Sequence, residues 1–370
     1  MSDFIKIPYM LFRGGTSKGP CFDWKYFSEN QKERDELLLR IMGSPHKIQV
    51  DGIGGCHDLA NKVCLIKVSN KSGIDVEYLL CQIHANSSVV ETDIDCGNML
   101  AAVAAFAIEM KFVKVTKNET SLKIWSHNSN TMIEALLPTP NAEVNYFGNE
   151  TIDGVAGTSS AIHLSFLDPV GSSLGKEFPT GNPIDLIDGI PVSCVDISMP
   201  MVIVPAVYFN KTGNETKEEL DLDKQFMMHA ESIRKKAAQA MGLGDVTGKT
   251  SPKICLISEP KSNGNICARY LIAPFDFNCH PSFAVTGAMC LGGAIFLNGT
   301  VCEKYFNINK KNFEKEKINS INIEHPSGSI NVTVYLNNQT SKIEKISYIR
   351  TARPLSSGYV FVSPQNEKII

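Results

Sequence analysis

A short strand signature occurs twice in this chain, and each copy leads into the same kind of segment. Lys62-Val63-Cys64-Leu65-Ile66 is echoed by Lys253-Ile254-Cys255-Leu256-Ile257. At a similar distance downstream, each reaches a small-residue turn that opens an apolar Ala/Gly-rich run. The first such turn is Cys96-Gly97-Asn98-Met99 and the second is Ala284-Val285-Thr286-Gly287. β-Branched strands resemble one another by chance, but a matching order of strand, spacer and helix start argues for duplication. At 370 residues the chain also exceeds the usual size of one domain. Two similar domains facing each other would bring both helix starts to a central cleft, where ligand sites commonly form.

Turn formers concentrate in Asp168-Pro169-Val170-Gly171-Ser172-Ser173 and in Phe178-Pro179-Thr180-Gly181-Asn182-Pro183. The boundary is therefore expected there, giving domains 1–182 and 183–370. Helical periodicity and composition predict helices over 31–42, 99–110, 224–241 and 286–297. Short β-rich runs predict strands over 76–83, 121–125, 132–137, 161–166, 201–209, 266–273 and 329–336. The Lys-, Asn- and Glu-rich tract 303–323 reads as a solvated surface stretch.

The balance of 36 basic and 39 acidic residues, net −3, provides no broad cationic surface for nucleic acid or an anionic membrane. An anionic substrate must then be held by a local pocket. The eleven cysteines include no Cys-x-x-Cys pair, which argues against a structural zinc site. No run reaches about 18 apolar residues, and the N-terminus lacks a signal-peptide pattern. A soluble, cytoplasmic protein is expected.

Asp95-Cys96-Gly97-Asn98-Met99 carries the clearest chemistry. From 100 to 110 the residues are nearly all good helix formers, Ala above all, so the thiol stands at the start of a buried helix. Unpaired N–H groups and the positive end of the dipole favour a thiolate and also hold a carboxylate. A buried, inert thiol is the plain alternative. Lys62 begins the apolar strand 62–68 after the loop Gly52-Ile53-Gly54-Gly55-Cys56-His57-Asp58-Leu59-Ala60-Asn61. That loop lacks a Gly-Lys-Ser/Thr ending and a Gly-x-Gly-x-x-Gly, so it is no nucleotide cradle. A partly desolvated lysine can act as a base near neutral pH, although most lysines are surface charges. His57 and Asp58 could pair, but neighbouring strand residues face opposite ways. Arg13-Gly14-Gly15-Thr16-Ser17-Lys18-Gly19 offers backbone access and hydroxyl donors to a carboxylate, or is simply a hairpin.

Arg-Gly-Gly-Thr-Ser-Lys-Gly at 13–19, Gly-Ile-Gly-Gly through Asn-Lys-Val at 52–63 and Asp-Cys-Gly-Asn-Met at 95–99 resemble the PrpF family. So do Pro179-Thr180-Gly181 with Asp188-Gly189, Pro252-Lys253-Ile254, His280-Pro281 with Thr286-Gly287-Ala288, and Arg350-Thr351-Ala352-Arg353. The matches run in family order over nearly the whole chain. The resemblance implies an α/β (α+β) diaminopimelate epimerase-like fold. In that fold two similar domains each curl a mixed β-sheet around a central helix, with the active site in the interdomain cleft and a last strand near 358–363 packing back on the first domain. It further implies an isomerase of small unsaturated di- or tricarboxylates that uses neither cofactor nor metal and works by an allylic proton shift. The expected activity is 2-methylaconitate cis-trans isomerase, as in propionate breakdown, or aconitate isomerase, with 4-oxalomesaconate tautomerase and methylitaconate isomerase as alternatives. The partner is a small polycarboxylate, with no nucleic acid and no membrane, and the resemblance admits a homodimer.

Carried over position by position, the catalytic pair falls on Lys62 and Cys96. Substrate binding falls on Ser17, Gly97, Asn98, Met99, Lys253, Thr286 and Gly287. Racemising relatives set a second cysteine at the second helix start, where this chain has Ala284. A proton shift between carbons is therefore expected, not inversion at one. A carboxylate-binding relative without catalysis is the other-class reading, and retention of both Lys62 and Cys96 argues against it. An acyl-transferring cysteine would need a contacting His; His84 and His280 are the nearest candidates, and both read more simply as structural.

Overall fold

The computed structural model describes residues 4–92, 95–272, 278–306, 317–337 and 339–363. The chain divides into two compact units: Met1–Asn128 with Met132–Leu164 and Arg350–Ile370, and Ser129–Thr131 with Ser165–Ile349. Residues 165–182 cluster with the second unit, and the C-terminal strand clusters with the first.

In the first unit β1 (Ile5–Gly14) and β2 (Ser17–Asp23) form an antiparallel hairpin that turns at Gly15 and Thr16. Gly15 takes φ +49, a backbone that side chains resist. Helix α1 (Gln31–Met42) starts where the Asn30 side chain accepts the Glu33 amide, and it stops at left-handed Gly43. β3 (Lys62–Val68) lies parallel to β2 and antiparallel to β4 (Val76–Ile83). β4 pairs antiparallel with β5 (Val90–Glu91) and parallel with β6 (Asn118–Ser126), and β7 (Thr131–Thr139) comes next.

Two helices cover the two faces of this sheet. Val63, Leu65, Leu79 and Cys81 join Leu38, Ile41 and Met42 of α1 in one apolar cluster. The Ala-rich helix α2 (Gly97–Glu109) packs against β1, β2 and β3 and is buried at nearly every position. A helix that is apolar all round belongs inside a core. Because strand residues alternate, Val63 and Leu65 turned toward α1 leave Lys62 and Cys64 on the α2 face. That alternation puts Lys62 on the side of the sheet where the helix with Cys96 starts.

The division between the units falls within β8 (Ile162–Leu167). The second unit then repeats the first. β9 (Asp185–Ile187) and β10 (Ile190–Asp196) are antiparallel, as are β10 and β11 (Pro200–Pro205). Helices α3 (Lys217–Leu222) and α4 (Lys224–Ala240) come after them. β12 (Lys253–Ser258) is parallel to β11 and antiparallel to β13 (Ile266–Ile272), which pairs with β14 (Asn278–Cys279). After helix α5 (Val285–Ala294), β15 (Ile318–His325) lies parallel to β13 and antiparallel to β16 (Gly328–Leu336), which pairs with β17 (Ile343–Arg350). The sense of every pairing from β1 to β6 recurs from β10 to β15. Ile254 and Leu256 face α4, so Lys253 faces the side of α5. β18 (Ala352–Val362) returns to pair antiparallel with β1.

Three expected elements need correction, and one element was not foreseen. The helix expected over 286–297 stops at Ala294. The strand expected over 201–209 stops at Pro205, where the chain tightens into a short 3-10 turn closed by left-handed Asn210. Within the tract 303–323 expected as solvated surface, 318–323 belong to β15, with Ile321 and Ile323 fully buried; 307–316 lie outside the described residues. Helix α3 was not expected, although Thr216 and Glu219 form a capping box that marks its start.

Candidate active site

Cys96 is the N-cap of α2, 9 % exposed, and its side chain makes no capping hydrogen bond to the helix. Its carbonyl accepts from the Met99 and Leu100 amides at 3.0 and 3.3 Å. Its own amide donates to Asp95 Oδ1 at 2.8 Å. The same carboxylate accepts from Ser126 Oγ at 2.7 Å and from the hydroxyl of buried Tyr78. Burial and the Asp95 charge hold the Tyr78 hydroxyl well above its usual range, so it stays a donor. Asp95 thus pins the backbone that presents the thiol. Ser17 Oγ lies 3.9 Å from Cys96 Sγ.

Lys62 opens β3 and is 8 % exposed, with its Nζ donating to Gln82 Oε1 across the β3–β4 ladder. The approach of β2 to it depends on a glycine. A Cβ at Gly19 would lie 1.5 Å from the Lys62 carbonyl oxygen. Ser17 and Gly19 stand two apart on β2, so one strand contacts both the thiol and the lysine backbone. The structure thus sets Ser17 against the Cys96 thiol and places Lys62 on the next strand, on the α2 side of the same sheet.

The remaining expected residues divide. The Asn98 carboxamide is engaged at both ends: Nδ2 donates to Thr16 Oγ1 at 3.0 Å, and Oδ1 accepts from Arg350 Nε at 2.8 Å. Asn98 therefore ties the hairpin turn to the helix start. A Cβ at Gly15 would strike that carboxamide at 2.2 Å. Met99 is fully buried and its amide serves the Cys96 carbonyl, so it braces the turn. Gly97 is the first residue of α2.

In the second unit Lys253 opens β12, and Thr286 and Gly287 lie in the first turn of α5. A Cβ at Gly287 would meet the Tyr270 ring at 2.4 Å, so this glycine admits a close helix–strand approach. The N-cap of α5 is Ala284. No cysteine takes over its place. Burial pushes the Cys279 thiol up to about 12, and it donates to the His280 carbonyl. Burial likewise raises Cys290, whose thiol donates to the Met199 carbonyl.

His57 forms no pair with Asp58; its Nδ1 accepts the Leu59 amide instead. Asp58 pairs with His84, which also pairs with Glu91, at 3.4 and 3.2 Å. Bonds to these two carboxylates raise His84 to about 9. His280 is driven down to about 4, chiefly by burial, and accepts the Ser282 amide. Sequence reasoning missed Gln82. Its signal was a lone carboxamide in the otherwise apolar end of β4. A cavity of about 360 Å³ in the first unit, lined by Glu119, Glu150 and His163 among others, holds none of the expected residues. Among the described residues no group of three or more His, Cys, Asp or Glu converges as a metal would require.

Residues 4–363 match the family described as PrpF protein. The chain belongs to the PrpF family. This PrpF member is 42 % identical to "Putative isomerase YbhH" of Escherichia coli strain K12, over 96 % of this chain and 99 % of that one. It is 35 % identical to the (4E)-oxalomesaconate Delta-isomerase of Novosphingobium sp. strain KA1, over 96 % and 97 %. It is 29 % identical to the 2-methyl-aconitate isomerase of Shewanella oneidensis, over 97 % of each. A crystal structure of methylitaconate-delta-isomerase superposes with a TM-score of 0.83 at 29 % identity, covering 98 % of this chain and 96 % of that one. A hydroxyproline epimerase from Agrobacterium vitis shares the fold, with a TM-score of 0.56 at 10 % identity over 97 % and 94 %. The PrpF relatives are isomerases, and so is this chain; its fold is the epimerase-like α/β fold expected from the sequence.

Proposed function

We propose that this PrpF protein is a cofactor-independent isomerase of small unsaturated di- or tricarboxylates, and that it moves a proton between two carbons of one molecule. A single observation carries the reading. A buried lysine and the thiol of the residue at the α2 N-cap lie on one side of the first sheet, with a hydroxyl beside the thiol. Lys62 and Cys96 exchange the proton. One removes it from a carbon next to the carboxylate-bearing double bond, the electron pair spreads over the conjugated acid, and a proton returns at the other carbon. The double bond shifts, with no net gain of atoms or electrons. Ser17 and the amides at the start of α2 steady the developing enolate-like oxygens, and one such donor is worth roughly 3 kcal/mol. Lys253 and Thr286 grip carboxylates of the substrate.

Within that class the first reading is 2-methylaconitate or aconitate, in line with the 2-methyl-aconitate isomerase among the relatives. The higher identity to the oxalomesaconate isomerase supports a second reading, the tautomerisation of 4-oxalomesaconate. Proton NMR in heavy water distinguishes them, using cis- and trans-aconitate, 2-methylaconitate, methylitaconate and 4-oxalomesaconate with wild type, Lys62→Ala and Cys96→Ser. Conversion of one of these acids with deuterium incorporation, lost in Lys62→Ala, is the expected result. Binding of an acid with neither isomerisation nor exchange would replace the enzyme by a carboxylate-binding relative.

A further inference from the structure

We propose that Gln82 is the positioning residue for Lys62. This inference rests on the proposed function, in which Lys62 moves the proton. Every residue of β4 is buried, and Gln82 is 3 % exposed, so its carboxamide must satisfy its groups within the protein. Its Nε2 faces three backbone carbonyls, those of Asp58 at 3.2 Å, Asn61 at 3.4 Å and Ile83 at 3.2 Å. Three acceptors on one side fix which end of the amide is which. Turning it over would set Oε1 against three carbonyl oxygens and leave the Lys62 amine facing an NH2 group. Oε1 is therefore aimed at Lys62 Nζ, which donates to it.

A lysine amine sits on a flexible four-carbon stem and does not hold one position unaided. An acceptor locked from three sides supplies that restraint. Held by one N–H, the amine directs its remaining positions, including the lone pair of a base, away from β4. The lock reaches beyond the strand, because Asp58 opens the short turn Asp58–Ala60, Asn61 caps its end, and the Asp58 side chain is tied to His84. Gln82 has no place in the chemistry itself. Its part is to convert a mobile amine into an aimed one, and misplacement of about 1 Å can cost roughly 100-fold in rate.

The test is steady-state kinetics of Gln82→Met on whichever acid the wild type isomerises, beside Lys62→Ala and with thermal unfolding of each variant. Gln82→Met keeps length and apolar packing while removing the acceptor. The expected result is kcat lower by about 10- to 100-fold and KM within about two-fold, with an unfolding midpoint only a few degrees lower, because the three carbonyls also lose their donor. Should Gln82→Met fail to fold, Gln82→Asn carries the same test, because it keeps an amide and withdraws the oxygen from Nζ. An unchanged kcat overturns the proposal. So does a loss of kcat accompanied by a many-fold rise in KM and a collapse of the unfolding midpoint, which marks a merely structural residue. If Lys62→Ala isomerises at the wild-type rate, the proposed function itself fails and Gln82 has nothing to aim. If Lys62→Ala is inactive while Gln82→Met is unimpaired, only the inference about Gln82 falls.

Discussion

The two units wind the same order of strand pairings around one buried helix, yet they differ at each place where chemistry could be done. The first caps its helix with Cys96 and the second with Ala284. Each third strand, counted from the hairpin, opens with a lysine on the helix side. Lys62 faces Gln82, whereas the position after Leu271, opposite the start of β12, is Ile272, which has no side-chain acceptor. Beside Lys62 runs Gly19, and beside Lys253 runs Met201. Duplication therefore preserves the scaffold and the lysine, while the N-cap thiol, the glutamine opposite the lysine and the glycine beside it belong to the first copy. The proposed function accordingly places proton transfer on Lys62 and Cys96 and carboxylate binding on Lys253 and Thr286.

Replacing each lysine in turn would break that assignment most directly. Lys62→Ala should lower kcat by about 10²–10⁴-fold, as expected for loss of an acid–base group. Lys253→Ala should chiefly raise KM, by about 10-fold, the equivalent of about 1.4 kcal/mol of binding. Equal losses of kcat in the two variants would show that the units do not divide the work in this way. Next in size is the strand approach. Gly19→Ala must push β2 off the Lys62 carbonyl, at about 2–4 kcal/mol, so the unfolding midpoint should fall by roughly 5–10 °C. A midpoint within about 1 °C of wild type would mean that β2 yields freely and that Gly19 does not set the geometry.

How far the sequence revealed the molecule depends on the range of each interaction. Helix α1 was readable to the residue because its caps, Asn30 and Gly43, are local. Cys96 stood out for the same reason, since a thiol just before an apolar Ala-rich run is a local pattern. β15 was hidden because its buried face brackets Ile321 and Ile323 with polar Asn319 and His325, which masks the period of two. The partner of Lys62 was also hidden. Gln82 is twenty positions away and is brought opposite by strand register. Asn98 reads as a substrate ligand from its neighbours, and only the fold reveals that Arg350, far along the chain, also donates to its oxygen. The duplication was legible as two lysine-led strands, but the sense of the strand pairings that makes it a duplication is not written in either one.

The smallest expected effect concerns the two histidines, which the units push in opposite directions. His84, between Asp58 and Glu91, is raised to about 9 from an ordinary value of 6.5. Its contribution is complete below the unfolded value and is lost as pH climbs through about 9, because the folded state then holds a proton that the unfolded state has released. His280, lowered to about 4 by burial, behaves inversely. Below its ordinary value of 6.5 the unfolded state gains a proton that the folded state refuses, so its neutral, buried form favours folding above 6.5 and loses that advantage as pH falls toward 4. Thermal unfolding from about pH 4.5 to 9.5 separates the two. His84→Asn should flatten the alkaline decline, by a few degrees at most for a partly solvated pair, and leave the acid limb alone. His280→Asn should flatten the acid limb alone. If His84→Asn leaves the alkaline slope as steep as in wild type, the charged clamp does not hold the Asp58–Ala60 turn, and the support that turn gives Gln82 must come from backbone pairing instead.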